Sequence, residues 1–369
     1  MKFTCNQQSL SKALNIVSKA VTSRTTIPIL KGILLNSTAD GKLILSASDL
    51  DLYIEKTVQD VNVIKEGSIV VLSKLFADII RKLPNEDILI ELKEDNSLNI
   101  KTSISEFTIL GIPPEEFPQI GEIEEDEKLV FEKGLFRDMV RRSSFSASID
   151  DSKGVIIGVL IELEENHINM VALDGFRMAV VKEEMKNEKR NKIIISSKIL
   201  NEINKILVDT EESEDINFIL GKKKAILFFS DIKIVIRLLE GEFIKYRDIL
   251  PKDKKCAVLV NKNLLHESME RASLFSREGK NNLIRFTITD DMLTITSKSE
   301  EGNVKEEIPV TKKGNDIEIG FNSKYIIDAL KVLDDEEIVL EMVSSVKPCV
   351  IKPVEGNKFE YLVLPVRIS

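Results

Sequence analysis

Ser73-Lys74-Leu75-Phe76-Ala77-Asp78-Ile79-Ile80-Arg81-Lys82-Leu83 decides the fold, because the chain writes this stretch three times. The second copy is Ser197-Lys198-Ile199-Leu200-Asn201-Glu202-Ile203-Asn204-Lys205-Ile206-Leu207, and the third is Ser323-Lys324-Tyr325-Ile326-Ile327-Asp328-Ala329-Leu330-Lys331-Val332-Leu333. Each reads Ser-Lys, two large apolar residues, an acid at the sixth place and a base at the ninth. The copies begin 124 and 126 residues apart. A period of that length makes each unit a domain.

The apolar places within each copy recur at helical spacing, so one stripe packs inward. The Lys, the acid and the base fall at i, i+4 and i+7 and share the opposite face. The leading Ser is expected to cap the helix. A short β-branched run precedes each copy, so the unit reads strand, helix, hairpin. Leu10, Leu135 and Leu264 mark a second set of equivalent helices, and in the first the buried stripe is Leu10, Ala13, Leu14, Val17, Ala20 and Val21. Strands are expected at Gly32–Ser37, 43–47, 50–58, 155–162 and 167–181, with 122–127 a solvated acidic linker. The fold class is α+β, in three tandem copies of one domain with boundaries 1–121, 122–251 and 252–369.

Composition narrows the function classes. No apolar run reaches the ~18 residues of a membrane span, and no signal-peptide pattern opens the chain. Three widely spaced cysteines, Cys5, Cys256 and Cys349, suit a reducing cytoplasm and argue against a disulfide framework or zinc site. The two histidines, His167 and His266, fall in different domains, which argues against a Ser-His-Asp or two-His metal site. No phosphate-binding Gly-rich loop occurs, and Gly221-Lys222-Lys223-Lys224 reads as a basic turn. Asp49-Leu50-Asp51 aligns with Asp174-Gly175-Phe176 across the repeat and is read as structural, inside strand alternation. No catalytic residue, metal ligand or cofactor is expected.

The net charge of −9 would argue against nucleic acid, yet it is unevenly placed. The six helical stretches are each net positive and together carry +11, leaving −20 for the rest of the chain. Lys12, Lys19, Lys74, Arg137, Arg141, Lys198 and Lys205 on these helices are candidates to face phosphate. Such contacts give affinity without sequence readout. With no Trp and four Tyr, a stacking platform for single strands is not expected.

The triple repeat, basic helices in an acidic chain, Asp174-Gly175-Phe176-Arg177, Tyr246-Arg247-x-Ile249-Leu250-Pro251 and Leu364-Pro365-Val366-Arg367 together resemble the bacterial DNA sliding clamps, the beta subunits of DNA polymerase III. The resemblance covers the whole chain. It implies a ring-forming clamp fold in which two chains join head to tail into six domains around double-stranded DNA. By that resemblance Arg24, Lys198, Arg277 and Lys280 face DNA, and Phe107 and Ile109 of one chain meet Leu274 and Phe275 of the other. It implies a pocket at Leu173, Gly175, Phe176, Arg177, Met178, Ile249, Leu362, Leu364, Pro365 and Val366, a shallow apolar dent to which Gly175 gives room by its small volume, with Arg177 on a polar rim. Implied partners are the polymerase III catalytic subunit, a clamp-loading ATPase, and other polymerases and repair proteins bearing short Gln-Leu-x-Leu-Phe-like peptides. Many relatives place His where Phe176 stands, and Met at Leu364 and Val366. The rival reading from another class is a monomeric peptide-binding scaffold of the same fold.

Overall fold

The computed structural model of the protein describes residues 1–22, 24–121, 127–187, 189–208, 215–251, 253–276 and 282–368. Six α-helices lie among them: α1 Gln7–Val17, α2 Ser73–Lys82, α3 Lys133–Ser143, α4 Ser197–Val208, α5 Lys262–Ser276 and α6 Ser323–Val332. The repeated stretch is therefore α2, α4 and α6. In α2, Phe76 and Ile80 are buried while Lys74 and Arg81 face out, as the spacing requires.

The repeated Ser is not a cap. In α2 and α6 the cap positions are Leu72 and Asn322, and the Ser is the first helical residue. Its hydroxyl is instead a tie. Ser73 hydrogen-bonds Ser18 beyond the end of α1, at 3.3 Å, and Ser323 bonds Ser276 at the end of α5, at 2.8 Å. In the second copy Ser197 donates to the Ile157 carbonyl at 2.8 Å. A cap reading looks only along the chain, and this hydroxyl bonds across it. Val21 also departs from the expected stripe, lying past the helix and half-buried.

All strand pairs among the described residues are antiparallel, and the chain gathers into two compact units that cut across the repeats. Unit one takes residues 1–134 and 205–238, and unit two takes 135–204 and 239–369. In unit one a 13-stranded sheet carries the strands of the first repeat into the second half of the next. The joint pairs Leu52–Val58 with Ile232–Arg237, and a Lys56–Asp231 ion pair closes it. Unit two repeats the device in a nine-stranded sheet, where Arg177–Glu184 pairs with Phe359–Val363. Unit two also holds a four-stranded sheet in the order Asn303–Pro309, Met292–Lys298, Leu283–Thr289, Ile317–Asn322.

Three strand expectations change. The run at 155–162 begins as a 3-10 stretch, Asp151–Ile157, and extends only from Gly158. Val61–Lys65, which alternates in exposure and pairs with Lys2–Asn6, was not anticipated. The continuous strand expected at 167–181 is two strands, His167–Leu173 and Arg177–Glu184, turning at Asp174-Gly175-Phe176. The Asp174 carboxylate accepts from the backbone N–H groups of Phe176 and Arg177, at 2.9 and 3.1 Å. Asp49 does the same for Asp51 and Leu52, at 3.1 and 2.7 Å, so the strand expected from residue 50 starts at Leu52. The aspartates are structural, but they make turns and do not lie within strands. Of the expected linker, 122–126 lie outside the described residues, and Glu127 opens the strand Glu127–Phe131.

Candidate functional site

Unit two holds the strongest candidate. Leu173, Met178 and Leu362 sit in one buried cluster with Leu160, Val171, Val180, Ile194 and Tyr246. Leu364 covers that cluster, as do Val155, Ile156, Leu239, Phe243 and Leu250. The Leu364 N–H donates to the Phe176 carbonyl at 2.8 Å, and the Val366 N–H to that of Gly320 at 2.8 Å. These bonds lead the half-buried chain at Leu364, Pro365 and Val366 away from the sheet and along the turn. Phe176 is 59% exposed and stacks on Tyr325, with centroids 6.4 Å apart. Ile249 is also exposed, whereas its neighbour Leu250 packs on the cluster.

Two pocket roles need correction. Arg177 is not on a rim. It is 9% exposed, donates to Asp174 at 2.9 Å and Asp328 at 2.6 Å, and lies 4.6 Å over the Tyr325 ring. Burial opposes its charge, but the Tyr361 oxygen, Asp328 and Asp174 outweigh that and hold it protonated. It therefore props the Phe176 and Tyr325 platform from beneath. Gly175 is not there for its small volume: a Cβ on it meets nothing within 4 Å, and its φ of +95° is what requires glycine.

The far wall hangs on a carboxylate that sequence reading missed. Glu162 is fully buried, and it accepts from Arg247 at 3.1 and 2.6 Å, Tyr246 Oη at 2.7 Å and Asn169 at 3.2 Å. Lys192 pairs with it at 2.8 Å. Burial alone would raise its pKa, but the bonds from Arg247, Lys192 and Tyr246 win and pull it down to about 2. Tyr246 and Arg247 begin the segment that delivers Ile249 and Leu250, so the carboxylate pins that wall. The sequence signal was present: an acid set between the apolar residues Val159-Leu160-Ile161 and Leu163 in the strand Gly158–Glu164.

The charged helix ends divide into free and committed bases. Lys74, Lys198 and Lys324 are each the second residue of their helix, exposed, and without an ion pair among the described residues. A cation there opposes the helix dipole by about 0.3–1 kcal/mol, so local stability does not explain the recurrence. Lys12, Arg24 and Lys205 are exposed, and Lys19 and Arg137 are half-buried. Arg141 is committed, bonding Asp138 at 2.6 Å, Asp334 at 2.5 Å and the Val332 carbonyl at 3.2 Å. Arg277 and Lys280 lie outside the described residues.

Two strands, Glu106–Ile112 and Asn303–Pro309, carry open edges. Glu106–Ile112 pairs along Ser97–Lys101 on one side, but on the other, among the described residues, only Gly111 and Ile112 find partners. Its exposed apolar residues are Phe107, at 38%, and Leu110, at 79%, whereas Ile109 is buried in its own chain. Asn303–Pro309 is the open end of the four-stranded sheet. On α5, Leu274 is 61% exposed and Phe275 half-buried. No described group of His, Cys, Asp and Glu has the makings of a metal site. The three cysteines are buried and unpaired, and burial pushes the Cys5 thiol up to about 12.

Comparison with known proteins agrees along the whole length. Residues 1–121, 131–245 and 247–367 match the family models of the DNA polymerase III beta subunit N-terminal, central and C-terminal domains. The beta sliding clamp of Staphylococcus epidermidis is 32% identical, over 100% of this chain and 99% of that protein. The DNA polymerase sliding clamp of Bacillus subtilis superposes with a TM-score of 0.96 at 30% identity, covering 100% of both chains. The DNA polymerase III beta subunit of Thermotoga maritima gives 0.93 at 31% identity, again over 100% of both.

Proposed function

Since the chain belongs to the DNA polymerase III beta-subunit family of bacterial sliding clamps, non-catalytic processivity factors, we propose that two copies close head to tail into a ring around duplex DNA. The ring slides without sequence preference and tethers its clients through the pocket of unit two. The clients are the polymerase III catalytic subunit and other polymerases and repair proteins with short apolar peptides. A separate ATPase opens the ring, and the protein works in the cytoplasm.

The observation that carries this reading is the threefold recurrence of a lysine, unpaired among the described residues, at the disfavoured end of its helix, Lys74, Lys198 and Lys324. Each is held where a phosphate would relieve it. Closure is supported by the open edges at 106–110 and Asn303–Pro309, which satisfy their backbone groups by pairing between chains. Leu110 joins Phe107 as the apolar contact there, in place of the buried Ile109.

Retention after loading is the test. The protein should stay on nicked circular DNA and run off linear DNA of the same sequence. Equal loss from both would favour the monomeric scaffold.

A further inference from the structure

The apolar cluster beneath the pocket has a counterpart in the first repeat. Ile29, Leu30, Leu34, Phe117 and Ile120 stand 126 residues before Val155, Ile156, Leu160, Phe243 and Tyr246. Ile29, Leu30, Val70 and Phe117 are buried together, with Leu34, Tyr53 and Ile112 packed on them. Beside them opens a cleft of about 490 Å³, lined by Leu34, Tyr53 and Phe117 and by the charged Glu55, Glu115 and Lys233. Its size lies within the range of ligand sites.

The two sites differ where a ligand would be read. In the pocket, the Leu364 N–H donates to the Phe176 carbonyl; in the first repeat, the Arg237 N–H donates to the Asp51 carbonyl, also at 2.8 Å. An exposed Arg237–Asp51 pair, 3.7 Å apart, thus replaces an apolar leucine and phenylalanine. Nor is there a counterpart to Glu162, because Asn36 holds that place. One apolar anchor point remains, flanked by two carboxylates, with Lys233 opposite Glu55 in the strand register. Charge complementarity then favours a cationic neighbour to the anchor.

We propose that this cleft is a second docking site, taking an extended peptide with a branched or aromatic apolar side chain beside Lys or Arg. It is separate from the pocket of unit two and stands on its own geometry. The two sites would let one subunit hold two clients of different chemistry.

The test uses the full chain labelled at Ile and Leu methyl groups. It is titrated with acetyl-Gly-Lys-Leu-Phe-Lys-Gly-amide, or with the same peptide carrying Glu for Lys, with and without saturating Gln-Leu-Ser-Leu-Phe. The Lys peptide should shift the methyls of Ile29, Leu30, Leu34 and Ile112 saturably in both conditions. The double variant Glu55→Gln, Glu115→Gln should weaken it by up to about 25-fold, about fivefold at most for each ion pair lost, and the Glu peptide should give no saturable shift. The proposal is overturned by no saturable shift with the Lys peptide, by equal binding of the Glu peptide, or by shifts that vanish under Gln-Leu-Ser-Leu-Phe. Failure of the pocket reading would look different: Leu173, Leu362 and Leu364 would not respond to Gln-Leu-Ser-Leu-Phe.

Discussion

A lysine at the second residue of a helix sits against the positive end of the backbone dipoles, so Lys198→Glu should move two properties in opposite directions. Reversing the charge removes an unfavourable cation and adds a favourable anion, and should stabilise the fold by about 0.6–2 kcal/mol in urea unfolding. It should also weaken retention on DNA of every sequence, and flatten the log–log salt dependence by about 0.9 for each phosphate no longer neutralised. A fall in both together would make Lys198 structural. The turns at Asp49 and Asp174 offer a second paired test. Leu50 holds φ +80° where the next repeat has Gly175 at φ +95°, and a non-glycine residue there costs roughly 1–2 kcal/mol. Leu50→Gly should therefore stabilise by up to about 1 kcal/mol once the freer unfolded chain is discounted. Gly175→Ala should destabilise by a similar amount, though its Cβ points into open space. Aligning the repeats at Asp49 and Asp174 made this equivalence legible, but the turn was not, since the shared aspartate reads as strand alternation until its backbone bonds are seen.

The segment Tyr246–Leu250 is fastened by Glu162, and its dependence on pH follows in sign from that carboxylate. Because the folded pKa, about 2, lies below the ordinary 4.5, the contribution is complete above about pH 4.5 and is lost as pH falls toward 2. Urea midpoints measured between pH 5 and 2.5 should fall more steeply for the native chain than for Glu162→Gln. At neutral pH that variant should bind a Gln-Leu-x-Leu-Phe peptide more weakly, since the wall is no longer pinned. Leu364→Ala should weaken the same peptide by about 1–3 kcal/mol, because the shorter side chain covers less of its apolar surface, with Arg177 and the platform above it intact. The three repeated helices were plain in the sequence because their stripe is local and periodic. The anchoring of a 3-10 segment by an acid 84 residues earlier is neither.

Assembly is tested by Leu110→Arg, which places a charge at the open edge without touching the core. Light scattering at micromolar concentration should show monomer in place of dimer, and the variant should still bind peptide but lose its preference for circular DNA. A dimer that survives this change would locate the interface elsewhere. The repeat count was readable from three copies of one helix. The sheets that run from one repeat into the next were not, because the pairing of Leu52–Val58 with Ile232–Arg237 leaves no local mark in either strand. Net charge misled for a related reason: its sum conceals where the bases lie.

That long-range pairing has a consequence for how the protein is made. Strand Leu52–Val58 leaves the ribosome long before its partner ends at Arg237, 179 residues after Val58. At about 5–20 residues per second, it waits roughly 10 to 35 seconds with one backbone edge bare. The nascent chain is thus most prone to sticking to its neighbours midway through synthesis, and a holding chaperone would act in that interval.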